Sequence, residues 1–446
     1  MWVKMVELHE KVLKMLTDRG VEEAIVILYS IGKDSVRYAN NEPTISVSEK
    51  IDTLTIYSSI KERSFIGSFE NVSEDFLDKI VDDVVTITKN SPPTPYYAPV
   101  PKGGFSYRVG KKVERRLGRL DEQLVSHVSE AVKASREVGA ERSAGILYSS
   151  YGEEKLVSST SLNLQEEFAS ITLNHRAFAS PEATGQWVSC STSLEDFNPY
   201  EAGRRAGEIA RRSLNPVLIE EGVYDVYMEP LIFANMMSEV AGFASGFLVQ
   251  IEMSFLTGKI GEKIGSEKIT VLDDPTIPSG LGEKVFDDEG VPTQRTVIIE
   301  NGVLRNYLHN SRTAKTAGAS STGNAGIIHP HPWNIVVKPG NLREEDMIQK
   351  LGRGLYLTNS WYQRYQNYRT GDFSTIVRDG AFYVEDGEIK HPVKGCRISD
   401  NLQRILLNIE ELSDKLYPIK WWEVEVPTYV PAAIIRNVKI TRAFGH

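Results

Sequence analysis

Hydrophobic and polar positions divide the chain into stretches of helical period and stretches of two-residue period. Val3, Val6, Leu13 and Leu16 recur at near-helical spacing up to Gly20, a natural left-handed cap, which predicts a first helix of about five turns. From Val21 to Glu70 the pattern changes to short runs of Val, Ile, Thr and Tyr broken at Gly32-Lys-Asp, Asn40-Asn-Glu-Pro and Lys61-Glu. About four or five antiparallel strands are expected there. Ser73 then opens a helix with Phe76, Leu77, Ile80, Val81, Val84 and Val85 on one face. Ser91-Pro-Pro-Thr-Pro-Tyr-Tyr-Ala-Pro-Val-Pro can be neither helix nor central strand, because proline removes donors and fixes its own dihedral. It reads as a linker or an extended surface arm.

The same order of elements recurs beyond it. Leu120, Leu124, Val128, Ala131 and Val132 mark a helix, Arg142 to Leu194 reads as a strand meander, and Asn198-Pro-Tyr-Glu opens another helix with Asn as cap and Pro in the first turn. Arg211-Arg212 at its far end complements the helix dipole. Two helix–sheet–helix units imply an architectural duplication without a residue-level repeat, packed as an α+β layer structure. The expected division is a first unit at 1–90, a Pro-rich linker at 91–104, a second unit at 105–215 and a β-rich domain at 220–446.

That last domain opens with the strand Val223-Tyr-Asp-Val-Tyr-Met and continues into a helix predicted over 229–249. Pro230 suits its first turn, and Leu231, Phe233, Met236, Met237, Val240, Phe243 and Phe247 cover nearly its whole circumference. A membrane span needs ~20 predominantly apolar residues, and Asn235, Ser238, Glu239, Ser245 and two glycines interrupt this run, so a buried core helix is expected. Lys259 to Gly282 reads as a long loop near it, and Glu300-Asn-Gly-Val and Glu385-Asp-Gly-Glu predict hairpins. Asp400 is read as the cap of a short helix carrying Leu402, Ile405, Leu406 and Ile409, before a return to strands. The fold class is α+β, with a C-terminal barrel- or sandwich-like domain curled around the central helix.

Composition narrows the function classes. Hydrophobic residues make up 41% and charged residues 25%, the balance of an ordinary globular protein. With 51 basic against 60 acidic residues the net charge is −9, which argues against a nucleic-acid footprint. Cys190 and Cys396 stand far apart with no partner spacing, which fits a reducing compartment. The N-terminal segment has no small-residue cleavage site, so a cytoplasmic protein is expected.

Glu239 is the single charge within the central helix, and burial without a partner would be costly. The residues alone fit a carboxylate paired with Arg or Lys. His329 and His331, with His309 upstream, are the only clustered histidines, but their spacing matches no standard zinc pattern. The run Gly318 to Gly326 lacks the lysine of a phosphate-binding loop and reads as a mobile loop bordering a groove. No Gly-x-Ser-x-Gly elbow is present, and the basic runs at Lys111 to Arg116 and Arg204-Arg205 read as solvated surface. Trp361, Tyr362, Tyr365 and Tyr368 fit either a peptide groove or a β-domain core.

Met236-Met-Ser-Glu-Val-Ala-Gly-Phe243 resembles a helix of the TldD/PmbA peptidase family, whose TldD type carries Leu-Leu-His-Glu-x-x-Gly-His. Further stretches resemble family blocks in family order: Asp287 to Gln294, Val297 to Asn306, Ser321 to Gly326, Tyr383 to Ile389, Pro392 to Gly395 and Asp400 to Leu402. In the TldD pattern the two histidines bind the metal and the glutamate is the general base. On that register Ser238 and Phe243 occupy the ligand positions, Glu239 and Gly242 are kept, and no cysteine between Ser413 and Trp422 supplies a third ligand. Serine is a poor zinc ligand and a phenyl ring is none.

The resemblance therefore implies a PmbA (TldE)-like chain without metal or other cofactor of its own, with Glu239 as a relic of the base. Zinc or a similar ion is expected in a TldD-type partner, and cleavage of short or unfolded peptides in the complex of the two. Asn324, His329, His331, Tyr362 and Arg369 are the peptide-groove candidates. Two alternatives stay open: a homodimeric peptidase with a divergent site at His329 and His331, and a non-catalytic peptide-binding protein. Neither nucleic-acid nor membrane partners are expected.

Overall fold

The computed structural model describes residues 8–110, 113–120, 122–326 and 328–442. Val3 and Val6 of the first helix, and Lys111 and Lys112 of the basic run, lie outside the described residues. The N-terminal half comprises α1 (Leu8–Asp18), β1 (Glu23–Ala39), β2 (Glu42–Ile60), β3 (Arg63–Glu70) and α2 (Leu77–Asn90), followed by α3 (Glu122–Glu137), β4 (Arg142–Ser158), β5 (Asn163–Phe178), β6 (Thr184–Ser191) and α4 (Pro199–Arg212).

Both units share one six-stranded antiparallel sheet in the order β3-β2-β1-β4-β5-β6, joined edge to edge where β1 pairs with β4. The first unit has three long strands, not the expected four or five. Gly32-Lys-Asp does not interrupt β1, because Gly32 is paired on both sides, with Lys50 and with Tyr151. The true turns lie at Asn40-Asn41 and Lys61-Glu62, all four in the left-handed region that short hairpins need.

One face of the sheet carries the helices. Val26, Leu28 and Leu54 pack under α1 and α2, and Leu147, Ile171 and Leu173 join the core that holds α3 and α4. Asn198 caps α4 through its side-chain oxygen, which accepts from the Glu201 amide at 2.9 Å. Gly203 lets α4 lie directly on α3, since a Cβ there would fall 2.0 Å from the Ala131 carbonyl oxygen.

The opposite face meets the rest of the chain, and the Pro-rich stretch is part of that junction. The Tyr97 hydroxyl and the Val100 amide both donate to Glu23, and Val100 is buried with Ile25, Ile27, Val285 and Phe286. The Tyr107 hydroxyl donates to the Gly290 carbonyl at 2.7 Å, and Arg108 reaches the Lys284 carbonyl at 2.6 Å. The segment is thus an arm clamped between the two halves, where its missing N–H donors cost nothing because side chains make the bonds.

The C-terminal half contains β7 (Val217–Leu218), β8 (Gly222–Met228), α5 (Pro230–Gly242), α6 (Gly246–Gln250), β9 (Val271–Asp273), β10 (Thr296–Glu300), β11 (Val303–Leu304), α7 (Ser311–Ala317) and β12 (Ile335–Val337). It continues with α8 (Met347–Leu351), β13 (Gly354–Asn367), β14 (Asp372–Glu385), β15 (Glu388–Lys394), β16 (Cys396–Asn401), α9 (Leu402–Leu407), β17 (Ile409–Leu412), β18 (Tyr417–Trp421), β19 (Val424–Val430) and β20 (Ala433–Arg442). Strands β13, β8, β20, β16 and β14 pair in succession, and β14 pairs again with β13, so five strands close into a barrel from which β15 and β7 extend. A second sheet, β11-β10-β9-β12-β19-β18, lies beside it. Helix α5 is buried between barrel strand β13 and that sheet, with Leu231, Phe233, Met236, Met237 and Val240 in the main core.

Three details depart from the sequence reading. The helix expected over 229–249 breaks after Gly242, where the Gly246 amide turns out to the Leu308 carbonyl at 2.8 Å and the Ser245 hydroxyl to the Pro330 carbonyl at 2.6 Å. The loop expected at Lys259–Gly282 contains β9, central in the second sheet. Asn401 rather than Asp400 caps α9, because the Asp400 carboxylate is engaged by Arg404. Both Gly-containing hairpins form where expected, with Asn301-Gly302 and Asp386-Gly387 in the left-handed region.

Candidate functional site

Glu239 and Phe243 lie one turn apart at the end of α5, and Phe247 follows on α6 beyond the break after Gly242. Glu239 is half-buried, and its carboxylate accepts from the Tyr365 hydroxyl on β13. Burial pushes the Glu239 carboxyl above the usual range, Glu423 adds to that, and the Tyr365 bond and Arg364 oppose it. The partner is therefore a tyrosine, where an ion pair with Arg or Lys was expected; no ion pair reaches Glu239 among the described residues.

Glu423 shapes the same neighbourhood. Its carboxylate accepts from the Tyr362 amide at 2.8 Å and from the Gln363 amide at 3.4 Å. These bonds fall at a register shift in β13 between Trp361 and Arg364, where Tyr362 has φ 59°. A left-handed non-glycine costs on the order of 1–3 kcal/mol and persists where surrounding contacts over-determine it, commonly at bulges beside functional sites. The bulge turns Tyr362 outward onto Trp422 at a ring separation of 5.5 Å. Tyr362, Tyr368 and Trp422 are 43%, 45% and 45% exposed, an aromatic surface beside a pair of carboxylates.

Phe243, the residue expected at the second ligand position, is buried edge-on to Phe255 at 5.2 Å and to Tyr365 at 5.1 Å. Among the described residues no group of three or more His, Cys, Asp or Glu side chains is arranged to hold a metal ion.

The histidines flank the far end of the stripe. The His329 ring lies parallel to Phe247 at 6.0 Å, and His331 packs edge-on to Trp333 at 4.3 Å. Each lies with Nδ1 near the carbonyl of the following proline, and burial lowers the His331 pKa. Asn324 is fully buried rather than presented to a groove, its amide donating to Asp273 and to the His331 carbonyl. Asp273 also accepts from the Trp333 and Asn334 amides, yet burial raises its pKa to about 7. The run Gly318 to Gly326 is consequently pinned: the Ala325 amide points inward to Asp287 at 2.9 Å and the Thr322 amide to the His309 carbonyl at 3.1 Å. Arg369 is exposed and lies 3.7 Å from Glu252. Of the five groove candidates, Tyr362 and Arg369 lie on or near the hairpin that meets Glu239, His329 and His331 border α6, and Asn324 supports the loop from within.

Two ionic clusters fix this region on the N-terminal sheet, and neither was legible in sequence. Lys284 lies 2.6 Å from Glu154, 3.4 Å from Glu166 and 3.8 Å from Asp288. Arg205 of α4 stacks over Trp187 at 3.7 Å and lies 3.6 Å from both Glu229 and Glu344. Glu229, just before α5, also accepts from the Tyr356 hydroxyl; burial raises its pKa and Arg205 opposes the rise. Lys284 and Glu154 are separated by 130 positions of chain, beyond any local motif; only the buried charges in apolar surroundings hint at the clusters.

Residues 221–442 match the family model described as PmbA/TldA metallopeptidase C-terminal domain. A metalloprotease of Methanothermobacter thermautotrophicus is 36% identical over 223 residues, 49% of this chain and 48% of that protein, so the match spans about half the length of that relative. An uncharacterized protein of Methanocaldococcus jannaschii is 26% identical over 91% of this chain and 94% of its own. The crystal structure of TldE from Thermococcus kodakarensis superposes with a TM-score of 0.86 at 23% identity, covering 97% of this chain and 99% of that one. Among the described residues no helix is long and apolar enough to cross a membrane.

Proposed function

Because residues 221–442 belong to the PmbA/TldD metallopeptidase family, we propose that this chain is the non-metal-binding subunit of a TldD/TldE-type complex that cleaves short or unfolded peptides. The observation that carries the reading is Phe243: the family's second ligand position is filled by a ring locked among Phe255, Tyr365 and Tyr368. Peptide-bond attack by metal-activated water needs ligands that the described residues do not assemble, and in this reading zinc or a similar ion belongs to a TldD-type partner.

The chain's own contribution is surface and positioning. Tyr362, Tyr368 and Trp422 offer aromatic area to a peptide or to the partner at the mouth of the site. Glu239, held by Tyr365 and raised by burial, is a hydrogen-bonding group there rather than a working base. Extended peptides recognised through backbone bonds give weak sequence selectivity, which suits unfolded substrates.

The test is to purify the tagged chain gently from its native cell, identify any chain recovered in equal amount, and assay an unfolded peptide with each chain alone and with both. Cleavage only with both, lost on chelation, is the expected result. Cleavage by this chain alone, abolished in His329→Ala, would replace the reading with a homodimeric peptidase; tight peptide binding without cleavage by either or both would replace it with a peptide-binding protein.

A further inference from the structure

The face of the N-terminal sheet opposite its helices is covered at two places and half-covered between them. At one end Tyr29, Glu154 and Glu166 lie in register and meet Lys284. At the other, Arg176 pairs with Asp379, and Gln186 accepts from Asn359 at 2.7 Å. Between these zones the cross-strand registers set Lys33 beside Ser150 and Ser170, and Ser35 beside Tyr148, Thr172 and Cys190. Apart from Cys190, which is buried, all of these positions are half-buried.

Strand β18 crosses this strip. The Cys190 thiol meets the Pro418 carbonyl at 3.0 Å, and Lys420, two residues on, lies among Cys190 and Lys33. Among the described residues neither lysine forms an ion pair with a carboxylate: the Lys33 ammonium sits over the Tyr148 ring at 4.4 Å, and Glu49, opposite Lys33 on β2, is exposed and unbonded to it. Buried charges are ordinarily paired. Here two like charges face one strip of hydroxyls; burial lowers the Lys420 pKa, and Lys33 lowers it further. Such a set suits an anion: point-charge ammonium groups, with Tyr148 and Thr172 as neutral donors beside the Ser150–Ser170 hydroxyl pair at 3.1 Å.

We propose that this strip binds a small oxyanion, a phosphate or a carboxylate, between Lys33 and Lys420. The proposal is independent of the metallopeptidase reading, since none of the strip's residues is among those on which that reading rests.

Thermal unfolding of the full chain at constant ionic strength, with inorganic phosphate or succinate titrated in, tests it. The expected result is a saturable rise in Tm with at least one of the two probes, at least tenfold weaker in Lys420→Met and weakened in Lys33→Gln. Without either probe, Lys420→Met should melt higher than the parent, because it removes a charge with no counter-ion, which a merely structural lysine would not do. A response to phosphate alone identifies a phosphate site, and a response to succinate a carboxylate site. No saturable rise with either, or a Lys420→Met variant that melts lower and responds like the parent, overturns the proposal.

Discussion

Replacing Lys284 with Met removes a cation that three carboxylates share where the C-terminal half meets the N-terminal sheet. The ammonium lies 2.6 Å from Glu154, with side-chain exposures of 12% and 7%. Burial pulls the lysine downward, but Glu154, Glu166 and Asp288 outweigh it and hold the ammonium above the usual lysine range. The folded pKa exceeds the unfolded one, so this stabilisation is fully present below about pH 10 and is lost only as pH rises through the folded value. Met keeps the length and apolar stem but takes the shared ammonium away from buried carboxylates, a change that costs roughly 3–5 kcal/mol in comparable sites. Guanidinium unfolding followed by tryptophan fluorescence should show that loss at pH 8. Adding Glu154→Gln and Glu166→Gln should recover a large part of it. A Lys284→Met variant within about 1 kcal/mol of the parent at pH 8 would show that the cluster is solvated and does not hold the halves together.

Three further expectations follow from the site. Glu239 has a raised folded pKa, so its ionisation weakens the fold as pH climbs from the unfolded carboxyl range of about 4; Glu239→Gln should flatten that part of a Tm-versus-pH profile, and an unchanged profile would remove Glu239 as its source. Asp273→Ala strips the acceptor from the Trp333 and Asn334 amides and the Asn324 side chain, and should cost roughly 2–4 kcal/mol in denaturant unfolding with faster hydrogen exchange at those amides; a cost below about 1 kcal/mol would mean the loop holds without it. Ser238→His combined with Phe243→His should bind no stoichiometric zinc by elemental analysis and cleave no peptide alone, since the cysteine that is the family's third ligand is missing between Ser413 and Trp422; metal-dependent cleavage by that double variant would contradict the assignment.

Local chemistry made the caps, hairpins and helix faces readable. Asn198-Pro199 and the two Gly-containing turns each specify their geometry within four residues, and the apolar circumference of α5 announces burial. What escaped was set by partners distant in sequence. Gly32 looks like a strand breaker until β4 supplies its second hydrogen-bonding neighbour. The apolar circumference carried on through Phe243 and Phe247 hides the break that Leu308 and Pro330 impose. Glu423 carries no signal in its own segment, and its role becomes visible only when the turn between β18 and β19 brings it against the β13 bulge. Phe243 was the exception: its inability to coordinate a metal is a property of the side chain itself, and the fold only shows what the ring does instead.

The seam between β1 and β4 gives the architectural duplication a consequence for dissection of the protein. Cut at the Pro-rich arm, the first unit would expose the 17-residue edge of β1 and the second the equally long edge of β4. Long unprotected edges are templates for pairing with other chains. Each fragment would meet copies of itself before it met its sister, and self-pairing at that edge would compete with the native seam. The repeat is a unit of architecture without being a unit of solubility, and the two halves of the sheet have to be made together.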